Sequence, residues 1–324
     1  HTRSSAASDV YKRQVFFNDC PVPLENLLGE REGGFKIALN ILNSGRIKLA
    51  AGSIGGAKFS LNKAITYGIE RKQFGKSIAE FAAMKHKMGE MARKIFAAES
   101  AIYRIGKNID SKESELKKEG KSENEVKLEA LREFAIECAM MKVYSTEVLD
   151  YCVDESLQIH GGMGYSAETG VEMGYRDARI TRIYEGTNEI NRMLAFAELM
   201  KRAFKTKELN LKEAGKKIPI TLLKRFLRMQ KLTSEKVIEN YKHLFLILSK
   251  YAFDAFGMEL ENEQEIIMNL SDILTETYVA ESVYLRVHKL KEQKGSNGTI
   301  QQKENVLALQ LYEANIKIVH CANT

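Results

Sequence analysis

The 324 residues include no tryptophan, three prolines and four cysteines, and no apolar run approaches the roughly 20 residues that a membrane-spanning helix needs. Proline stands only at 21, 23 and 219, so the stretch from Leu24 to Ile218 is free of the residue that most reliably breaks helices. Cys20, Cys138, Cys152 and Cys321 lie far apart in no metal-ligand spacing. That excludes a disulfide framework and gives no metal site; it reads as reduced, buried thiols. A block of charge of one sign is also missing. The 49 basic and 43 acidic residues are interleaved and leave a net charge of +6, which describes solvated helix faces and no nucleic-acid footprint. A basic surface for an anionic small molecule or lipid head groups stays open.

Apolar residues make up 44% of the chain, enough for a sizeable core. His1–Gln14 has no start methionine, no apolar core segment and no periodicity; it reads as a non-native leader and not as a signal peptide. At the other end, Thr324 follows an apolar helical segment, which reads as a truncation. Val15–Phe17, before the bracketing Pro21 and Pro23, has the composition of a last strand.

From Phe35 to about Tyr67, apolar residues recur at helical spacing after Gly33 and Gly34. Phe81, Met84, Met88, Met91, Ile95, Ala98, Ile102 and Ile105 form one apolar seam about seven turns long. Ser111–Glu125 is almost wholly charged or small and reads as a solvated loop or the frayed end of a helix pair. A third helix is expected over Val126–Ile159, with Leu131, Phe134, Ala135, Cys138, Val148, Leu149 and Cys152 inward. A fourth starts near Asn188, with Ile190, Met193, Leu194, Ala197, Met200 and Phe204 inward. Four such helices predict an all-α, up-and-down four-helix bundle. Further helices are expected around 221–232, 234–256, 261–291 and 301–319, with a loop at GSNG, 295–298.

Few residues carry obvious chemistry. In RIYEGTNEI, 182–190, Thr187 or Asn188 can cap the fourth helix, placing Glu185 just ahead of an amino terminus whose dipole favours an anion. The same letters also spell a plain turn and cap. GGMG at 161–164 does not follow a strand, so it is no dinucleotide fingerprint; it could let a cofactor approach the backbone, but a helix-ending turn is the better reading. RKQFGK at 71–76 sets cations beside Phe74, which suits a pyrophosphate and a flat ring, or a simple loop. Arg46 is a lone cation within a helix, and His160 has no partner at ligand spacing.

Taken in order, VFFNDCPVPLENLLGEREGGFKIALNILNSGR, RKQFGK, QIHGGMGYS and YRDARITRIYEGTNEINR resemble the acyl-CoA dehydrogenase family from Val15 to about Phe204. The extension beyond Phe204 resembles, by length and helical character only, the second helical domain of the very-long-chain members. The resemblance implies residues 15–30 as the end of a β-domain, 31–206 as the bundle and 207–324 as an appended, truncated helical domain. It also implies a chain that is a fragment of a protein nearly twice its size.

It further implies that Glu185 is the catalytic carboxylate and that the cofactor is FAD. Thr187, Asn188 and Glu189 would touch that FAD. Arg71, Gln73 and Phe74 would reach the FAD of a neighbouring subunit, and Gln158, Ile159, His160, Gly161 and Gly162 would cradle its adenosine end. Asn43, Ser44, Gly45 and Arg46 would contact the CoA moiety, with Tyr184 and Gly186 beside the acyl chain. The implied reaction is α,β-dehydrogenation of fatty acyl-CoA in fatty acid β-oxidation. A homodimer or homotetramer passes electrons to an electron-transfer flavoprotein, in a bacterial cytoplasm or the mitochondrial matrix. This chain alone would be inactive. Two rivals stand beside that reading. One is an acyl-CoA oxidase-like flavoprotein. The other is an oligomerisation or peripheral membrane-docking module, using Lys224, Arg225, Arg228 and Lys231 beside Leu222, Leu223, Phe226 and Leu227.

Overall fold

A computed structural model describes residues 16–206, 232–295 and 297–324. The chain forms two compact units, residues 1–39 and 40–324. The described part of the first holds a short 3₁₀ turn, Leu24–Asn26, and the start of a long helix. The strand expected at Val15–Phe17 is not formed at Phe16 and Phe17, since strand pairing needs a neighbouring strand and the only described sheet is a two-stranded hairpin further on.

The proline-free stretch gives long helices, as expected: α1 (Gly34–Glu70) and α2 (Ala82–Lys118), then α3 (Glu123–Glu133), α4 (Ala135–His160), the single turn α5 (Gly162–Tyr165), α6 (Val171–Ile180) and α7 (Asn188–Thr206). Side-chain registers fix their directions. Lys58 pairs with Glu99, while the Ser77 hydroxyl, just ahead of α2, donates to the Gly68 carbonyl (2.7 Å), so α1 and α2 run antiparallel. Lys87 pairs with Glu155, and Lys94 lies over the Tyr151 ring (4.8 Å), so α4 returns antiparallel to α2. Asn188 meets Thr146 (3.2 Å) while Arg202 meets the carbonyl of Glu133 (2.7 Å), so α7 descends beside α4. This is the up-and-down bundle. Its seam is buried where expected: Met91, Ala98 and Ile105 are fully covered, and Met84, Met88 and Ile102 are partly so. Cys138 and Cys152 lie in this core, and burial pushes both thiols up to about 12.

Three expectations need correction. Of the two readings of the charged stretch 111–125, the solvated loop gives way to the ends of a helix pair: α2 runs to Lys118 and α3 begins at Glu123. Leu116, Val126 and Ala130 form a small apolar cluster beneath it, and Ser122 and Glu125 make a capping box. The helix expected over 126–159 breaks at Phe134 (φ −100°, ψ 25°), and the Arg202 guanidinium takes up the carbonyls of Arg132 and Glu133 at the break. On α7, Asn191, Ala195, Phe196 and Met200 face inward, whereas Ile190 and Ala197 are exposed. The helix has neighbours beyond the bundle that turn its buried face: Phe196 stacks edge-on against Phe245. The Phe204 side chain, residues 1–14 and the basic segment 221–231 lie outside the described residues.

The later helices are α8 (Ser234–Phe256), α9 (Gln264–Lys294) and α10 (Gly298–Asn323), capped by Thr233 for α8 and Asn297 for α10. They share one hydrophobic cluster with the bundle. Ion pairs stitch the seam: Arg104–Glu281 (2.9 Å), Arg286–Glu99 (2.8 Å), and Arg192 with both Glu147 (2.8 Å) and Asp272 (2.7 Å). Among the described residues no helix is long and apolar enough to cross a membrane.

Glu99 and Glu281 are partly buried, which alone would push both carboxyls up. Hydrogen bonds from Lys58 and Arg286 to Glu99, and from Lys242 and Arg104 to Glu281, outweigh burial and hold both below the usual carboxylate range. A depressed carboxyl contributes stability that is present above its unfolded value and lost as pH falls through its folded one. Urea midpoints should therefore drop between about pH 5 and pH 3, and Glu281→Gln should cost roughly 1–3 kcal/mol at pH 7 and flatten that drop. An equal drop in the variant would assign acid sensitivity elsewhere. Met91→Asp buries an unpaired charge and should cost more than about 3 kcal/mol; an unchanged melting temperature would refute the packing of the seam.

Candidate functional site

The segment between α6 and α7 makes the site. Thr181 caps back onto the Ala178 carbonyl (2.7 Å), and the Asn188 amide returns to the Arg182 carbonyl (3.1 Å), closing a tight loop. Inside it Glu185 has φ +60° and Gly186 φ +81°. Left-handed backbone costs a glutamate about 1–2 kcal/mol, so the surroundings must enforce it. They do so through three successive carbonyls. Asn191 Nδ2 donates to Glu185 O (3.3 Å), Gly186 O (2.8 Å) and Thr187 O (3.0 Å). Arg46 Nε, from α1, donates to Glu185 O (3.3 Å), and Arg46 Nη1 to Asn43 Oδ1 (3.0 Å). Lys142 Nζ, from α4, donates to Gly186 O (2.7 Å) and Asn188 Oδ1 (2.9 Å).

The turn aims the Glu185 carboxylate at Gly45. A Cβ built on Gly45 would lie 2.6–2.7 Å from the carboxylate atoms, so glycine is what makes the slot. Among the described residues, Glu185 Oε2 is buried there with no hydrogen-bond partner. Burial pushes the Arg46 guanidinium down, against the pull of Glu185. Thr187 caps α7 by accepting from the Ile190 amide (3.3 Å). The Glu189 backbone amide, and after it the Thr187 hydroxyl, hold the Glu189 carboxyl, exposed at the surface, below its ordinary value.

Of the residues expected to act, Asn43, Gly45, Arg46, Glu185 and Gly186 therefore come together, with Ser44 half-buried on the same turn of α1 and Tyr184 exposed on the loop. Sequence reasoning missed Lys142 and Asn191, both fully buried. The signal for Lys142 was a single cation inside the apolar run of α4, where a charge has nowhere to go but to a partner.

The other expected residues lie elsewhere. After α1, Lys72–Gln73 and Lys76–Ser77 pair as a hairpin whose turn is Phe74 (φ +52°) and Gly75 (φ +81°). The Phe74 ring is 91% exposed, and Arg71 and Gln73 are exposed beside it. Tyr67 stacks on His160 (4.3 Å), which sets the end of α4 next to this hairpin. There Gln158, Gly161 and Gly162 are exposed, and space is open at both glycines. An exposed flat ring, a cation and bare backbone suit a dinucleotide. Ile159, His160 and Asn188, expected as cofactor contacts, turn their side chains into the core: His160 Nδ1 bonds the Ser156 carbonyl (2.7 Å), and Asn188 is committed to Lys142, Thr146 and Glu147. Arg46 lies a third of the way along α1 and Arg71 just past its end, about 38 Å apart at helical rise. One chain cannot bring both to one small group.

Gly45→Ala tests the slot. Only the mobile end of Glu185 stands in the way, so the fold should be unharmed or gain up to about 1 kcal/mol from helix propensity. A crystal structure of the variant should show the carboxylate swung away from α1. A carboxylate still in place would refute the fit.

Two family models match the chain, over residues 32–200 and 240–323, and both describe the carboxyl-terminal domain of acyl-CoA dehydrogenases. A probable acyl-CoA dehydrogenase of Bacillus subtilis is 38% identical over 90% of this chain and 49% of its own length. The very long-chain specific acyl-CoA dehydrogenase of Bos taurus mitochondria is 38% identical over 61% of this chain and 27% of its own. Among solved structures, an acyl-CoA dehydrogenase complexed with FAD from Bacillus anthracis superimposes with a TM-score of 0.84 at 38% identity, covering 94% of this chain and 52% of that one. The chain thus spans about half the length of the Bacillus proteins and a smaller share of the bovine one. With the two models on the bundle and on the helices after it, the chain belongs to the acyl-CoA dehydrogenase family.

Proposed function

We propose that this chain is the base-carrying half of a flavoenzyme that introduces a double bond between Cα and Cβ of fatty acyl-CoA thioesters in fatty acid β-oxidation. The observation that carries this is the Glu185 carboxylate: one oxygen buried with no partner among the described residues, on a backbone held left-handed by three helices. An unpaired buried acceptor costs about 1–3 kcal/mol and the strained turn adds to it. A fold that retains both costs has a use for that oxygen, and accepting a substrate proton is such a use.

In this reading the thioester lies beside the 184–186 turn. Glu185 Oε2 removes the α-proton, and the Glu185 amide polarises the thioester carbonyl as charge develops on it. Gly186 leaves room for the acyl chain, Tyr184 covers it, and Ser44 faces the CoA moiety. Arg46, braced by Asn43, also holds the Glu185 turn. FAD, when bound, supplies the acceptor for the β-hydride. Arg71, Gln73, Phe74 and the Gln158–Gly162 backbone would hold its adenosine diphosphate end, and Thr187 and Glu189 its other end. Two groups so far apart along α1 would serve the flavins of two subunits, in a homodimer or homotetramer. Electrons leave to an electron-transfer flavoprotein, in a bacterial cytoplasm or the mitochondrial matrix.

In the FAD-loaded protein, Glu185→Gln keeps volume and removes only the base. Reduction of the bound flavin by a saturated acyl-CoA should fall by roughly 10²–10⁴-fold, with FAD retained. Reduction at the wild-type rate would overturn the assignment.

A further inference from the structure

We propose that Lys142 is the positioning residue of this site: by gripping the Gly186 carbonyl it holds the left-handed turn that aims Glu185. The inference rests on Glu185 being the base. Lys142 is fully buried in the middle of α4. A buried ammonium is expensive, and an apolar side chain of its length would pack there at lower cost. Its acceptors are the Gly186 carbonyl (2.7 Å) and Asn188 Oδ1 (2.9 Å), both in the loop and cap that carry Glu185.

Lys142 is not needed simply to join α4 to α7. Thr146 with Asn188 and Arg192 with Glu147 already join them. Nor does Asn191 make the grip redundant. Its neutral Nδ2 is shared among three carbonyls, at 2.8 to 3.3 Å, whereas Lys142 brings a charge-assisted bond to the middle one. The groups that face the ammonium are Arg46 from α1, Glu189 from α7, Glu147 from α4 itself and Glu185 from the turn. Burial first, then Arg46, push it down to about 8, so at neutral pH it still carries its proton.

The test is Lys142→Met, an apolar side chain of similar length, read by amide hydrogen exchange in this chain and by kinetics in the FAD-loaded protein. Exchange across residues 181–191 should accelerate at least about tenfold while residues 91–105 keep wild-type protection. With acyl-CoA, kcat should fall about 10²-fold with KM within about threefold, because the base is mis-aimed and the substrate site is left alone. Wild-type protection of 181–191 would overturn the proposal, as would equal losses in kcat and 1/KM. If Lys142→Met does not fold, Lys142→Arg decides. Retained protection of 181–191 in that variant supports the role, and a turn that opens over an intact core overturns it. Should the wild-type loaded protein fail to oxidise acyl-CoA, the proposed function falls, while the exchange measurement still judges Lys142.

Discussion

Three consecutive carbonyls, those of Glu185, Gly186 and Thr187, receive donors from three helices, and the site depends on that convergence. A left-handed glutamate is unstable on its own. Here it persists because Arg46 on α1, Lys142 on α4 and Asn191 on α7 are themselves fixed by the bundle. The bundle thus does more than bury its seam. It brings three donors to one turn with a precision that a loop alone would not have, and Gly45 leaves the space into which the carboxylate is directed.

The helices after residue 232 extend this support. Arg192 lies one residue beyond Asn191, and its pairs with Glu147 and Asp272 tie the first turn of α7 to both α4 and α9. Phe196 against Phe245 continues the contact into α8. These later helices are continuous with the core that steadies the site. Removing them would expose the inner face of α7 and free one side of Arg192.

At the far end of α1 the chain spends its resources differently. Phe74 holds a large ring almost fully in water on a left-handed backbone. No interaction within the described residues repays that strain beyond an edge contact with Phe81 at 6.3 Å. An exposed strained ring is what a contact outside the chain would require.

The helices were legible in the sequence because their determinants are local. Absence of proline over 24–218 and the three-four spacing from Met84 to Ile105 give long amphipathic helices whatever surrounds them. The boundaries missed were those set at a distance: the break at Phe134, whose freed carbonyls meet Arg202 across the bundle, and the rotation of α7, which follows from α8 and α9. Glu185 could be singled out from its place before a helix start and its resemblance to family motifs. That Gly45 makes room for it and that Lys142 and Asn191 hold its turn could not be read from sequence. Gly45 and Lys142 stand 140 and 43 positions away, and only tertiary packing brings side chains so separated together, whereas Asn191, six positions on, reaches back locally from the first turn of α7. The sequence by itself determined a helical chain with a carboxylate at the start of α7. Tertiary structure decided where that carboxylate points, because the energy that holds it there comes from helices it is not part of.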